Sequence, residues 1–360
     1  MIPPEWLNNL AAPYTRRHGG VAVVGALGET TATHFRGETL GGEPPPGERT
    51  LFELGGVTQV FTTLLLALAV RDERLALDQP VAELGPELAG LPEWITPLRL
   101  ATHTAGIPRL PPATAGRSML NTENPYAAFG LDDLLAWAES YRPRRAPSET
   151  AFAHSILGMG LLGVALAMAY DTPFDEALAE RVLAPLRMGD TVFVPTEEQA
   201  GRMATPHDRR GQPVPAWNYA GLAGAGGLKS TAADMGTFLT ALLGAKDDAG
   251  PLARPIRETL EIRRKAPRPD GEGGGLGWAI VLAGKPPAFI CTASGQTNGS
   301  QALLAVAPGP GLGATILANT GPRGRDTLRP PRREALRSFT MAWSLPGSGE
   351  EADAAGDAAD

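Results

Sequence analysis

The stretch LFELGGVTQVFTTLLLAL, Leu51 to Leu68, constrains the fold of this chain more than any other. From Val57 onward the apolar residues Val60, Phe61, Leu64, Leu65 and Leu68 recur at three- and four-residue spacing, with Ala and further Leu between them. That spacing predicts a helix, and a helix apolar nearly all round has to be covered on every side. The rest of the chain must therefore wrap layers around it. With 360 residues, 43% of them hydrophobic, there is enough material for one large domain or two interleaved ones.

The flanks suggest what those layers are. Ahead of the helix, GGVAVVGALGETTATHFRGET reads as two short β-stretches joined by a Gly-containing turn, followed by the Pro-rich loop GGEPPPGER. From about Leu75 to Pro206 the pattern is helical, in LDDLLAWAESY, SILGMGLLGVALAMAY and FDEALAERVLAPLRM, with Pro-rich loops between. After Ala225 a helix, TAADMGTFLTALLG, precedes four short apolar runs bounded by Gly, Pro or Asn: GLGWAIVLAG, PAFICTAS, SQALLAVAP and GATILANT. These read as strands of an antiparallel sheet with tight connections. The expected architecture is an α/β fold with an α insertion. Residues 1–74 and 207–345 form the sheet domain, residues 75–206 form an all-α subdomain, and the buried helix lies at the seam, where pockets tend to form. The tail 346–360 is acidic and lacks bulky apolar groups, a composition that predicts disorder.

Composition excludes several classes of function. The net charge of -7 comes from acids and bases scattered along the chain, so there is no basic footprint for a nucleic-acid partner. No segment reaches the roughly 20 apolar residues needed to span a bilayer, and the N-terminus has no basic segment leading into an apolar run. A soluble, cytoplasmic protein with no membrane partner is expected. The lone Cys291 precludes an intramolecular disulfide. No His or carboxylate cluster points to a metal, and the many GxG strings lack the strand-to-helix context of a phosphate loop, so no cofactor is expected.

Successive blocks of the chain resemble the serine β-lactamase superfamily, in particular its branch of class C β-lactamases, penicillin-binding proteins and carboxylesterases. The blocks are LFELGGVTQVFTTLLLALAVRDERLALDQPVAEL, ITPLRLATHTAGIP, PSETAFAHSILGMGLLG, VLAPLRMGDT, AGGLKSTAADMGTFLTALL and SGQTNGSQALLAVAPGPGLGATILANT. They occur in order over about residues 15 to 340. The resemblance implies a β-lactamase-like antiparallel sheet flanked by helices, and covalent catalysis by a Ser and a Lys in an S-x-x-K turn at the start of the buried helix. A Tyr of a Y-x-N motif helps move the serine proton, and a Lys or His of a K-T-G or H-x-G strand faces the pocket.

Aligned to those motifs, Gly56 falls at the nucleophile, Gln59 at the lysine, His154 at the tyrosine, Ile156 at the asparagine and Ala293 at the cationic position of the strand. Glycine has nothing to attack with, and a neutral amide does not accept a proton near neutral pH. Because members of such a unit act together, these replacements argue against an ordinary β-lactamase, peptidase or esterase.

Of what remains, His154 reads as a general acid or base, or as a filler of the tyrosine's space. Gln59 reads as a group that orients substrate or His154, or as a satisfied buried amide. Thr58 shares the first turn, and Gly56 leaves that end open to a ligand. Period-two alternation puts Cys291, Ala293 and Gly295 on one strand face, with Gln296, Thr297 and Asn298 at the pocket mouth. Ser155 adjoins His154, and His207 lies in a polar loop near the expected rim. His103 reads as scaffold. Three functions are open: non-covalent acid/base chemistry such as cyclisation, isomerisation, elimination or hydration of a small secondary metabolite; ligand binding or scaffolding without catalysis; and hydrolysis or acyl transfer with the nucleophile moved to Ser155, Thr58, Ser294 or Cys291. The expected partner in the first two is a small molecule.

Overall fold

The computed structural model describes residues 2–12, 19–37, 46–110, 123–148, 151–248, 250–265, 272–283 and 288–321. The chain opens on helix α1 (Pro4–Ala11), which no sequence period announces; eight residues with Trp6, Leu7 and Leu10 on one face are too short to stand out. Strands β1 (Val21–Leu27) and β2 (Thr30–Arg36) form the expected hairpin, turning at Gly28 with φ +56. Phe52–Glu53 (β3) then leads through a tight 3-10 turn, Gly55–Val57, into helix α2 (Thr58–Arg71).

Helices α3 (Pro97–Ala101), α4 (Leu131–Ser140), α5 (Ile156–Tyr170), α6 (Phe174–Leu178) and α7 (Glu197–Ala200) follow. Between residues 75 and 206 the described residues contain no strand longer than an isolated bridge. Beyond α8 (Ala223–Gly226), strand β4 (Lys229–Ser230) pairs with β3, and α9 (Ala232–Gly244) and α10 (Ala253–Leu260) precede β5 (Glu272–Gly274), β6 (Ala279–Ala283), β7 (Ala288–Gln296), β8 (Gln301–Ala307) and β9 (Leu312–Ala318). The large sheet is antiparallel throughout, in the order β2-β1-β9-β8-β7-β6-β5. The tail 346–360 lies outside the described residues.

Alternation along β1 divides the core in two. Val21 and Val23 face α1 in one buried cluster, while Ala22, Val24 and Ala26 face the helical side in another. That second cluster also takes in Leu66 of α2, Leu134, Leu157 and Phe238, so the helical insertion shares its core with the inner face of the sheet. Helix α2 is buried from Thr58 to Ala69. Its hydroxyls are satisfied by backbone carbonyls of neighbouring segments: Thr62 donates to Gly224 O at 2.8 Å, and Thr63 to Leu276 O at 2.8 Å. Each buried leucine stabilises the fold by about 1.5–3 kcal/mol, and each such hydrogen bond adds about 1. The polar residues of α2 thus fix its position relative to α8 and to the segment between β5 and β6. No single helix among the described residues is long and apolar enough to cross a membrane.

Candidate active site

The N-terminal end of α2 meets β7 at very close range. A Cβ on Gly55, whose φ is +48, would lie 2.8 Å from Gln296 N, and one on Gly56 would lie 2.7 Å from the Ser294 carbonyl oxygen. A Cβ on Gly295 would collide with Leu54 O. The three glycines let two backbones touch where side chains would hold them apart. This corrects the expectation for Gly295: it is the packing point beneath the turn, not a ligand contact. Residues of both strand faces border the site: Ser294 and Gln296 line the main cavity, Ala293 lines the smaller one beside it, and Cys291 is fully buried in the core.

That cavity has a volume of about 360 Å³. Gly56, Gln59, His154 and Ile156 line one side of it, as the alignment placed them. Ala293 faces a smaller adjoining chamber of about 60 Å³ that Gln59, His103 and His154 also line.

Gln59 is the hub of a hydrogen-bonded chain. The backbone N–H of Ser155 donates to His103 Nδ1 at 3.3 Å, which makes Nδ1 the acceptor and leaves the proton on Nε2. His103 Nε2–H then donates to Gln59 Oε1 at 3.1 Å. The Gln59 amide, its oxygen so oriented, donates from Nε2 to Ala225 O at 3.2 Å and to His154 Nε2 at 3.4 Å. The His103 and His154 rings are 4.5 Å apart between centroids. Burial holds His103 well below the ordinary histidine range, and the nearby His154 and Arg264 charges push it the same way. Read from sequence as scaffold, His103 instead closes the relay. It sits at φ +57, a conformation in which His is tolerated better than most residues.

Several expected site residues are committed elsewhere. Thr58 is fully buried, and its Oγ1 accepts from Leu228 N at 3.1 Å. Ser155 caps α5, accepting from Gly158 N at 2.8 Å and donating to Pro108 O at 2.7 Å; both roles hold its hydroxyl away from the cavity. His207 is buried under the turn after β7, its N–H shared between Gly299 O and Asn319 O at 3.0 Å each, and does not reach the rim. Thr297 does line the cavity, yet its hydroxyl donates to the Glu53 carboxylate at 2.8 Å. Cys291 has its thiol pushed far up by burial, which removes it as a nucleophile.

One wall of the cavity is aromatic, which the sequence motifs do not indicate. Tyr126 and Tyr219 stack with ring centroids 5.0 Å apart, Trp217 meets Tyr126 edge-on at 5.2 Å, and exposed Arg109 completes that side of the cavity. Glu53 holds the wall in place. Its carboxylate accepts from Trp217 N at 2.7 Å and from Ser300 Oγ at 2.8 Å as well as from Thr297. The signal that could have found it is PAWNYAG, two bulky aromatics in a loop bounded by Pro and Gly, where no helix or strand period accounts for them.

An antiparallel sheet with a buried helix ending in a cavity beside an α-helical insertion defines an α/β protein of the β-lactamase type. A model of the beta-lactamase family matches residues 7–338, and the chain belongs to that family. It is 27% identical over 305 residues to a beta-lactamase of Pseudomonas fluorescens, covering 76% of this chain and 81% of that one. It is 25% identical over 319 residues to the D-alanyl-D-alanine-carboxypeptidase/endopeptidase AmpH of Escherichia coli K12, covering 85% and 80%. Among solved structures, it superposes on the class C beta lactamase from Rhodobacter sphaeroides with a TM-score of 0.76 at 23% identity, over 94% and 98% of the two chains. On the beta-lactamase/D-alanine carboxypeptidase from Pseudomonas syringae the TM-score is 0.79 at 22% identity, over 95% and 99%.

Proposed function

We propose that this beta-lactamase-family protein performs non-covalent acid/base chemistry, such as cyclisation, isomerisation, elimination or hydration, on a small metabolite, with His154 as the proton shuttle. The observation that carries this reading is the amide of Gln59 bridging two histidines at the end of the buried helix. An amide at that place neither attacks nor accepts a proton; it orients. The hydrophobic surroundings keep His103 neutral, so it serves to hold Gln59 and not to carry charge.

The Gln59–His154 contact, 3.4 Å, is at the long end for a hydrogen bond, and Gln59 keeps Ala225 O as a second acceptor at 3.2 Å. A substrate proton can therefore replace the amide at His154 Nε2, be taken up there, and be returned to another atom of the same substrate. Gly56 lines the cavity where α2 begins, and a helix N-terminus favours negative charge developing on a substrate oxygen. The aromatic wall of Tyr126, Trp217 and Tyr219 suits a planar or unsaturated skeleton held against it.

The test works with an unidentified substrate. Purified protein is incubated with a small-molecule extract in D2O, and compounds that gain deuterium are sought by mass spectrometry. Protein-dependent labelling that disappears in His154→Ala, with the melting temperature unchanged, is the expected result. Labelling that survives His154→Ala would remove the shuttle. Ligand retention without any labelling would move the assignment to a binding protein.

A further inference from the structure

A second cavity, larger than the first at about 700 Å³, opens behind the candidate site. Helix α5 and the segment through α8 form its walls. Its interior is apolar, with Val164 and Met168 of α5 opposite the edge-on pair Phe174 and Phe193, whose centroids are 5.6 Å apart. Two large apolar residues stand in solvent at its mouth, Leu131 at 52% and Val194 at 82% exposure. Exposed leucine and valine beside an apolar cavity of this size are features of a ligand site.

One of the charged groups in the lining is buried. Lys229 is 92% buried, counted from its 8% exposure, and its Nζ donates to Phe193 O at 2.8 Å and to Gly227 O at 3.2 Å. An ammonium has three protons, so one donor remains. The other charged groups in the lining, Glu87, Asp171 and Asp175, are exposed carboxylates. They oppose any second negative charge near the opening and leave the buried ammonium as the attractive point for a single one.

We infer that this rear cavity binds an amphipathic monoanion, a carboxylate with an alkyl or aryl tail, the carboxylate directed to Lys229 and the tail covering Leu131 and Val194. The site is separate from the proposed chemistry but touches it physically. Tyr219 lines both cavities, and the α8 segment that walls the rear one with Gly224 holds Gln59 through the next residue, Ala225.

The test is calorimetric titration of the full chain with sodium decanoate below its micellar concentration. Two variants accompany it. In Gly163→Leu the new side chain fills the cavity, since the nearest atoms to a Cβ there are those of the Phe174 ring at an ordinary contact distance of 3.6 Å, and leucine favours the helix over glycine. In Val194→Asp a carboxylate is added at a position too exposed to affect folding. The expected result is saturable one-to-one binding of decanoate, weakened about tenfold or more by each variant, with decyltrimethylammonium bromide binding far more weakly. Absence of saturable binding, equal binding by Gly163→Leu, or equal affinity for the cationic probe would each overturn the inference. So would cosedimentation with phosphatidylglycerol vesicles without one-to-one binding of free decanoate, because it would make the apolar mouth a membrane contact.

Discussion

Replacing Gly56 by alanine tests whether the position that aligns with the family's nucleophile is open or physically closed. Gly56 has an ordinary backbone conformation, so in open space alanine would reduce the freedom of the unfolded chain and stabilise the protein by about 0.4–1 kcal/mol. The structure predicts the opposite sign. The new Cβ would lie 2.7 Å from Ser294 O and 3.5 Å from the Gly295 Cα, and both belong to β7, held in register there by β8 through Ser294 opposite Leu303 and Gly295 opposite Ala302. Backbone pinned in that way cannot swing aside as a side chain can. Overpacking of this kind costs about 1–3 kcal/mol, which leaves a net loss of about 1.3 kcal/mol after the entropic gain when the middle of each range is taken. That corresponds to a fall of a few degrees in melting temperature for a chain of this size. Gly56→Ser should lose the same amount, since the clash lies at Cβ and not beyond it, and adding Gln59→Lys should not produce an acyl-enzyme. Differential scanning calorimetry of the two single variants reads this directly. A melting temperature equal to or above that of the wild type in both would refute the closed-site reasoning.

Three further outcomes follow from the same geometry. Gln59→Leu leaves His103 Nε2–H without its acceptor and Ala225 O without its donor, and should cost about 1–3 kcal/mol in urea unfolding, far more than an exposed Gln would. His103 is held neutral in the folded state but takes up a proton near pH 6.5 when unfolded; stability should therefore be constant above that pH and fall below it, by up to about 1.4 kcal/mol per pH unit until the folded-state value is reached. His103→Asn, which tolerates the positive φ, should flatten that slope. Ser155→Ala removes a helix cap and should cost about 1 kcal/mol while leaving deuterium labelling intact, because the hydroxyl is used by Gly158 N and Pro108 O.

The fold is legible in the sequence where burial imposes a period. The all-buried α2 and the apolar runs of β1 and of β6 to β9 are buried over most of their length, and such burial leaves its mark on the sequence. Helix α1 and the two-residue strands β3 and β4 are too short for any period to register. The site is legible in part for a different reason. Gln59, His154 and Ile156 are located by position within a family pattern, and they do line one cavity. Tyr126, Trp217 and Arg109 come from loops, where nothing in the local pattern says which way a side chain turns. The role of His103 is hidden from the sequence because it rests on one bond to Gln59, 44 positions away. Ser155 misleads because proximity in sequence to a site does not reveal which backbone group has already claimed a side chain, and His207 because its burial leaves no mark on the local sequence.

The proposed function depends on the cavity at the start of α2 doing its chemistry without an activated nucleophile. Intact-mass spectrometry after incubation with a reactive penicillin, a p-nitrophenyl ester and a fluorophosphonate, with peptide mapping of any adduct, tests it most directly. An unmodified mass with all three reagents is the expected result. A stoichiometric adduct mapping to Ser294, or to any residue lining that cavity, would contradict it and return this protein to covalent catalysis.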